Sequence, residues 1–300
     1  MRLKEPEPRR EHCLYWKRNS NEWLERGAIG ILLACVLVSP VYLLLVTPDA
    51  VVIGTDSKST NVSNVLDGSS AIRFGETEKV VSIANGKVLI GTIGLAKIEH
   101  NYRVREVIYD FPVWARALNI KPDTPIMQVA RVVANDSFRV MNKELPQRLR
   151  DGRYSPEKTG QNLNRLVGYY IGKCDPGGCA AVTIQITIDW EKRILNQPKI
   201  QVVASIPNSQ FNFSTSSSAG GVIDRFLPGN LPTKQLYLQK YPKEIAPLFR
   251  TEVLRPEEMV NLTKLLLSLE IDEHSDLYSF PVVIYSLTAH GNATRHEYEQ

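Results

Sequence analysis

The chain has 300 residues, 43% hydrophobic and 23% charged, with 18 Gly and 18 Pro, a globular composition that excludes wholesale disorder and collagen-like repetition. Thirty-six Lys and Arg against 32 Asp and Glu leave a scattered net charge of +4, too thin for phosphate neutralisation, so nucleic acid is not an expected partner. Four Cys exclude a disulfide-dense scaffold, and five His without HExxH spacing or paired CxxC knuckles give a bound metal no support.

From Met1 to Arg26 the chain carries seven basic and five acidic residues, after which Gly27 to Thr47 contains no charge. About 20 apolar residues cross a bilayer as a helix, and the basic flank would hold the N-terminus in the cytoplasm with the rest of the chain outside. Residues 1–39 are therefore expected to be a transmembrane anchor or a secretory signal segment, and 40–300 a membrane-anchored extracytoplasmic, secreted or periplasmic domain. Pro40 divides the run. The first part has the length of a signal h-region, and Leu32-Leu33-Ala34-Cys35 has the spacing of a lipoprotein processing box. The second part, Val41 to Thr47, reads equally well as a buried strand.

Beyond residue 40 the order of strands, helices, strands, helix and strand predicts an α+β fold. Val41–Thr47 and Ala50–Thr55 form a hairpin about Pro48-Asp49, and their continuous apolar character implies burial on both faces. Asn61–Gly75 is polar and reads as loop. Lys79–Ile83 and Lys87–Thr92 form a second hairpin about Asn85-Gly86, a strong turn signal. Helices are expected over Ala96–Leu118 and Thr124–Leu149, the latter with Ile126, Val129, Val133, Phe138 and Met141 on one face. After a polar loop from Asp151 to Asn164, strands are expected over Arg165–Gly172 and Cys179–Asp189, where Val182, Ile184, Ile186 and Ile188 alternate with polar residues. Ile200–Ser205 is followed by a Ser-rich turn, Ser214–Gly221, an amphipathic helix, Glu257–Ile271, and a last strand, Phe280–Thr288.

Cys174 and Cys179 bracket Asp175-Pro176-Gly177-Gly178 and are candidates to face each other across a hairpin. Opposed residues stand close enough for a disulfide, which an exported domain would oxidise; in the cytoplasm they would remain thiols. A C-x4-C zinc half-site lacks its other half.

No P-loop, no GxSxG elbow and no GxGxxG after a strand is present, so no cofactor is expected. Val51-Val52-Ile53-Gly54-Thr55-Asp56-Ser57-Lys58, then Lys79-Val80-Val81-Ser82-Ile83, then Gly91-Thr92-Ile93-Gly94-Leu95-Ala96 resemble the N-terminal half of a proteasome β-type subunit, of the N-terminal nucleophile (Ntn) hydrolase superfamily. Val167-Gly168-Tyr169, Gly221-Val222-Ile223-Asp224 and His274-Ser275-Asp276-Leu277-Tyr278-Ser279 extend the likeness to about residues 41–290. The resemblance implies a four-layer αββα sandwich.

It also implies roles. Asp56 matches the carboxylate that orients the catalytic Lys, and Lys79 matches that Lys. Ser214 matches a hydroxyl beside the nucleophile's free amine, and Asp276 and Ser279 match the pair that buttresses it. Gly94 or Leu95 falls where the family places the amide that stabilises the oxyanion. Lys58 stands where the family often has Arg.

The family's nucleophile is a Thr exposed as a new N-terminus, one residue supplying both hydroxyl and base. Counting back from Asp56 puts Pro40 there, which has no hydroxyl. Ser39 lies one residue upstream and would serve if cleavage fell between Val38 and Ser39. Thr47, at the far end of the strand, reads as structural. Two functions follow: a peptide or amide hydrolase with Ser39 as nucleophile, or a catalytically silent membrane-tethered module for binding or assembly. The expected partners are the membrane, a peptide substrate and further copies of the chain.

Overall fold

The structure, a computed structural model, describes residues 41–64, 70–76, 78–99, 107–150, 165–203, 211–216, 222–223, 231–275 and 278–299. The expected anchor or signal segment at 1–39 lies outside these residues, as does the loop expected at 151–164. Among the described residues no helix is long and apolar enough to cross a membrane.

The polypeptide opens with the hairpin of β1 (Tyr42–Val46) and β2 (Ala50–Asp56), in which Tyr42 opposes Thr55 and Val46 opposes Val51. Every residue of both strands is buried. The second half of the apolar run is therefore strand. Val41, Leu43, Leu45, Ala50 and Val52 face a helix, while Tyr42, Leu44, Val46, Val51 and Ile53 face a second sheet. With both faces covered, neither strand needs polar alternation.

These strands lie inside a five-stranded antiparallel sheet ordered β13 (Asn212–Ser216), β1, β2, β14 (Val282–Thr288), β15 (Thr294–Tyr298). The second sheet runs β11 (Ile194–Leu195), β10 (Gly178–Asp189), β9 (Arg165–Asp175), β6 (Val88–Gly94), β5 (Val80–Ile83), and β12 (Lys199–Val202) also pairs with β10. The Asn85-Gly86 turn joins β5 to β6, with Ala84 and Asn85 left-handed at φ 52° and 55° and Gly86 at φ 80°.

Five helices complete the described fold: α1 (Phe111–Ala117), α2 (Ile126–Arg150), α3 (Leu231–Lys240), α4 (Pro242–Ile245) and α5 (Pro256–Glu273). Three cores separate the elements. The first joins α1 and α2 to the outer face of the six-stranded sheet through Val129, Val133, Met141, Tyr169, Ile171, Ile184 and Ile186. The second joins α5 to the outer face of the five-stranded sheet through Met259, Leu262, Leu266, Leu267 and Ile284. The third lies between the sheets. Thus the even residues of β10 that the sequence marks as one face, Val182 to Ile188, face α2.

Two glycines set the approach of these layers. A Cβ on Gly172 would stand 2.4 Å from Val51 Cγ1 in the facing sheet, and one on Gly54 would stand 2.3 Å from Thr263 Cγ2 on α5. Cys174 and Cys179 are register partners across the β9–β10 hairpin with Cα atoms 4.0 Å apart and sulfurs 1.95 Å apart. The same hairpin donates Cys179 N–H to Pro48 O at 2.8 Å, closing one end of the sheet pair.

Four expectations are corrected. The segment read as loop from Asn61 to Gly75 contains most of β3 (Lys58–Asn64) and β4 (Ser70–Glu76), an antiparallel ribbon that its polar composition conceals, because pairing satisfies backbone groups without an apolar run. In place of one helix over Ala96–Leu118, β7 (Lys97–Glu99) pairs with β8 (Val107–Asp110) and helix begins at Phe111, with Pro112 in its first turn. The Ser-rich turn is strand at Ser214–Ser216, where β13 pairs with β1. Thr288 does not end the last strand of the chain, since β15 follows after the Ala289-His290 turn, in which Gly291 N–H bonds Thr288 O at 3.2 Å.

Gly172→Ala is expected to lower stability by about 1–3 kcal/mol, because Val51 is β-branched and cannot swing its methyl away from the added Cβ. Chemical denaturation measures this, and Val51→Ala in the same protein should restore part of the loss.

Candidate active site

At the end of the sandwich opposite the Cys174–Cys179 hairpin, β2 finishes at Asp56, and the residue preceding β5 is Lys79. The two belong to different sheets, for Lys79 O accepts Thr92 N–H of β6 at 2.9 Å. Their side chains meet: Lys79 Nζ donates to Asp56 Oδ1 at 2.8 Å. Both are nearly sealed from solvent, at 5% and 1% side-chain exposure. Burial lowers the Lys79 ammonium below its ordinary 10.5, and the Asp56 charge and hydrogen bond oppose that shift.

A cavity of about 150 Å³ adjoins the pair. Thr55, Asp56 and Ser57 form one wall, Glu78, Lys79 and Val80 another, and Pro281, Val283, Arg295 and Glu297 the third. It has room for a few small atoms only and is well short of the ~300–1,000 Å³ of a drug-sized pocket. Its outer rim is charged. Arg295 pairs with Glu297 at 2.7 Å, and Arg116 of α1 holds both oxygens of Glu78, at 2.5 and 2.6 Å. The Ser57 hydroxyl is buried and has no hydrogen-bond partner among the described residues.

The start of β1 runs beside this pair. Continuing the β1–β2 register one step beyond Tyr42 and Thr55 sets position 41 opposite Asp56. Thr55 Oγ1 donates to Val41 O at 3.0 Å and has Asp56 O at 3.1 Å. From the other neighbour, Thr215 Oγ1 donates to Tyr42 O at 3.0 Å.

The remaining residues named from the sequence distribute as follows. Ser214 opposes Leu44, about 10 Å along β1 from position 41, and its Oγ lies 2.9 Å from the Tyr42 hydroxyl. The Tyr42 ring in turn stacks on Tyr170 at a centroid distance of 3.5 Å. Gly94 ends β6 two residues beyond Thr92, so it shares the Lys79 end of the sheet, in a left-handed conformation at φ 85°. A Cβ there would meet Leu166 O at 2.5 Å, which restricts the position to glycine. Ser279 lies two residues before Pro281 of the cavity wall but does not line it. Ser39 and Asp276 lie outside the described residues. Thr47, at the far end of β1, bonds locally, accepting Ala50 N–H at 3.1 Å.

Sequence reasoning missed Thr55, Glu78, Arg295 and Glu297. The last two sit on the strand it did not anticipate, although Gly291-Asn292 after an apolar strand was a readable sign that the strand had ended. Among the described residues no cluster of three His, Cys, Asp or Glu is placed to hold a metal.

Breaking the pair leaves one uncompensated buried charge, so Lys79→Met or Asp56→Leu alone should each cost about 3–5 kcal/mol, and the double replacement less than either. Urea unfolding of the three variants reads this directly. The pH dependence has a definite sign. The unfolded chain keeps the Lys79 proton up to 10.5 whereas the folded protein releases it earlier, so stability from this residue rises with pH across that interval. Lys79→Met should abolish that alkaline rise in the urea midpoint.

No family model matches the chain, and no curated protein matches its sequence. Among solved structures the fold is similar to an Anbu (Gly-1) mutant from Hyphomicrobium sp. strain MC1, over 86% of each chain at 10% identity and a TM-score of 0.46. It is also similar to the helical assembly of the Anbu complex from Pseudomonas aeruginosa, over 87% of each chain at 10% identity and a TM-score of 0.45. Anbu is a proteasome β-subunit-like protein of the Ntn hydrolase fold.

Proposed function

We propose that the protein is an Ntn-type peptide or amide hydrolase on an αββα sandwich, with Ser39 as the nucleophile after removal of residues 1–38. The observation that carries this reading is the buried Lys79–Asp56 pair beside the cavity and beside the entry to β1. A charged pair away from solvent costs several kcal/mol per ion in desolvation, and a core of apolar residues would have been stable without it. Its position supplies a reason. Ser39 is two residues before Val41, a chain reach of about 7 Å from the backbone opposite Asp56.

The chemistry divides among few groups. The freed α-amine of Ser39 takes the Oγ proton as the oxygen adds to the substrate carbonyl, forming a C–O bond. The same proton passes to the leaving amine when the C–N bond breaks, and water then hydrolyses the ester. Lys79, held by Asp56, supplies a fixed positive charge that favours the alkoxide and keeps the amine neutral by like-charge repulsion. The Gly94 end of β6 offers backbone amide to the oxyanion, and Asp276 and Ser279 buttress the new N-terminus. The hydrophobic leader delivers the domain to the membrane or through it, and the proximity of the Cys174 and Cys179 sulfurs suits an oxidising compartment.

N-terminal sequencing of the protein recovered from whole cells should read Ser39 first; an intact Met1 would leave the tethered binding or assembly module in its place. A β-lactone acylating probe should label the wild type and neither Ser39→Ala nor Lys79→Ala, compared at a temperature where circular dichroism shows all three folded. Equal labelling of the three would remove the catalytic assignment.

A further inference from the structure

We infer that Thr55 is a positioning residue whose hydroxyl ties the entry of β1 to the residue that holds Lys79. The inference rests on the hydrolase reading given above. Thr55 is 4% exposed, and its one hydroxyl proton has two carbonyls within reach, Val41 O at 3.0 Å and Asp56 O at 3.1 Å. Because Thr55 is the covalent neighbour of Asp56 on β2, its bond to Val41 O alone joins the two backbones whose separation sets the nucleophile's distance from the Lys79–Asp56 pair.

A strand end is the place where such a tie matters. Within β1 the ladder to β2 and β13 fixes each residue, but at Val41 the described pairing with β2 has ended, since Tyr42–Thr55 is its last pair. Without another bond, the chain before Tyr42 would fray like any strand terminus. Thr55 supplies that bond from β2, and Thr215 supplies a parallel one from β13 by donating to Tyr42 O at 3.0 Å. The Tyr42 side chain is held as well, by Ser214 at 2.9 Å and by its stack on Tyr170. These contacts converge on two consecutive residues, two and three positions after Ser39. A valine at position 55 would fill the same volume and keep the strand, but it would leave the Val41 carbonyl without its donor.

The consequence is kinetic. A nucleophile misplaced by about 1 Å loses on the order of 100-fold in rate while the substrate pocket is untouched. Thr55→Val should therefore lower the maximal inactivation rate of the β-lactone probe about 10- to 100-fold with the half-saturating probe concentration unchanged. Thr55→Ser, which retains the donor, should return the rate to within about threefold of wild type. A purely structural role predicts something different, namely loss of folded protein with wild-type kinetics in the fraction that remains. Should Thr55→Val fail to fold, Thr215→Val releases the neighbouring carbonyl and should show the same rate loss at unchanged half-saturation. The proposal is overturned if either valine variant reacts at the wild-type rate, or if Thr55→Ser is as slow as Thr55→Val. Failure of the hydrolase reading looks different: the wild type itself is unlabelled and its N-terminus is Met1, and that outcome overturns both.

Discussion

A lysine ammonium and an aspartate carboxylate in contact at 2.8 Å, both buried, bridge the two sheets at one end of the sandwich. Neither charge tolerates that burial without the other, so the ends of β2 and β5 must be held at a fixed separation. The rest of the fold can be understood as the means of holding them there. The inter-sheet core sets the spacing, with Gly172 admitting Val51 and the Tyr42 ring lying flat on Tyr170. Helix α5 braces the other face of β2, approaching so closely over Gly54 that no side chain fits between.

The two ends of the sandwich are built for different purposes. At the end holding the Pro48-Asp49 turn, backbone groups are consumed by backbone groups: Cys179 N–H reaches Pro48 O and Ala289 N–H reaches Asp49 O. The Cys174–Cys179 contact lies in the same hairpin. At the opposite end the strands stop around a cavity whose polar lining is two hydroxyls, three carboxylates, an amine and a guanidinium. The contrast is one of local satisfaction. At the turn end main-chain groups bond one another, and at the other end charged and hydroxyl side chains line the cavity.

Much of this was legible in the residues. The first hairpin could be read from two uninterrupted apolar runs around Pro48-Asp49, and the second from Asn85-Gly86, because turn chemistry and hydrophobicity are local properties. Helix α2 and strand β10 announced themselves through periods of about four and of two; the period selects the buried Val182, Ile184, Ile186 and Ile188 of β10, and in α2 it selects Val129, Val133 and Met141 at the core with Ile126 and Phe138 at its edge. The failures have equally local reasons. The β3–β4 ribbon is formed by backbone pairing in a stretch rich in Asn, Ser and Gly, a composition that reads as loop. The stretch from Ala96 to Leu118 mixes Val, Ile and Tyr with charged residues, and strand and helix readings compete until Pro112 starts a helix.

The sequence by itself determined the class of the fold, its two hairpins, its longest helix and the likeness that singled out Asp56 and Lys79, since each depends on neighbours within a few residues or on a short motif. Only the tertiary structure decided that these two side chains meet, 23 positions apart in the chain, and that Thr55 reaches back to Val41. It also decided that Ser214 belongs with Tyr42, some 10 Å along the strand from the ion pair. In a one-dimensional reading a buried charge looks like a solvated one. Only the stacking of one sheet on another removes the water and makes the distinction.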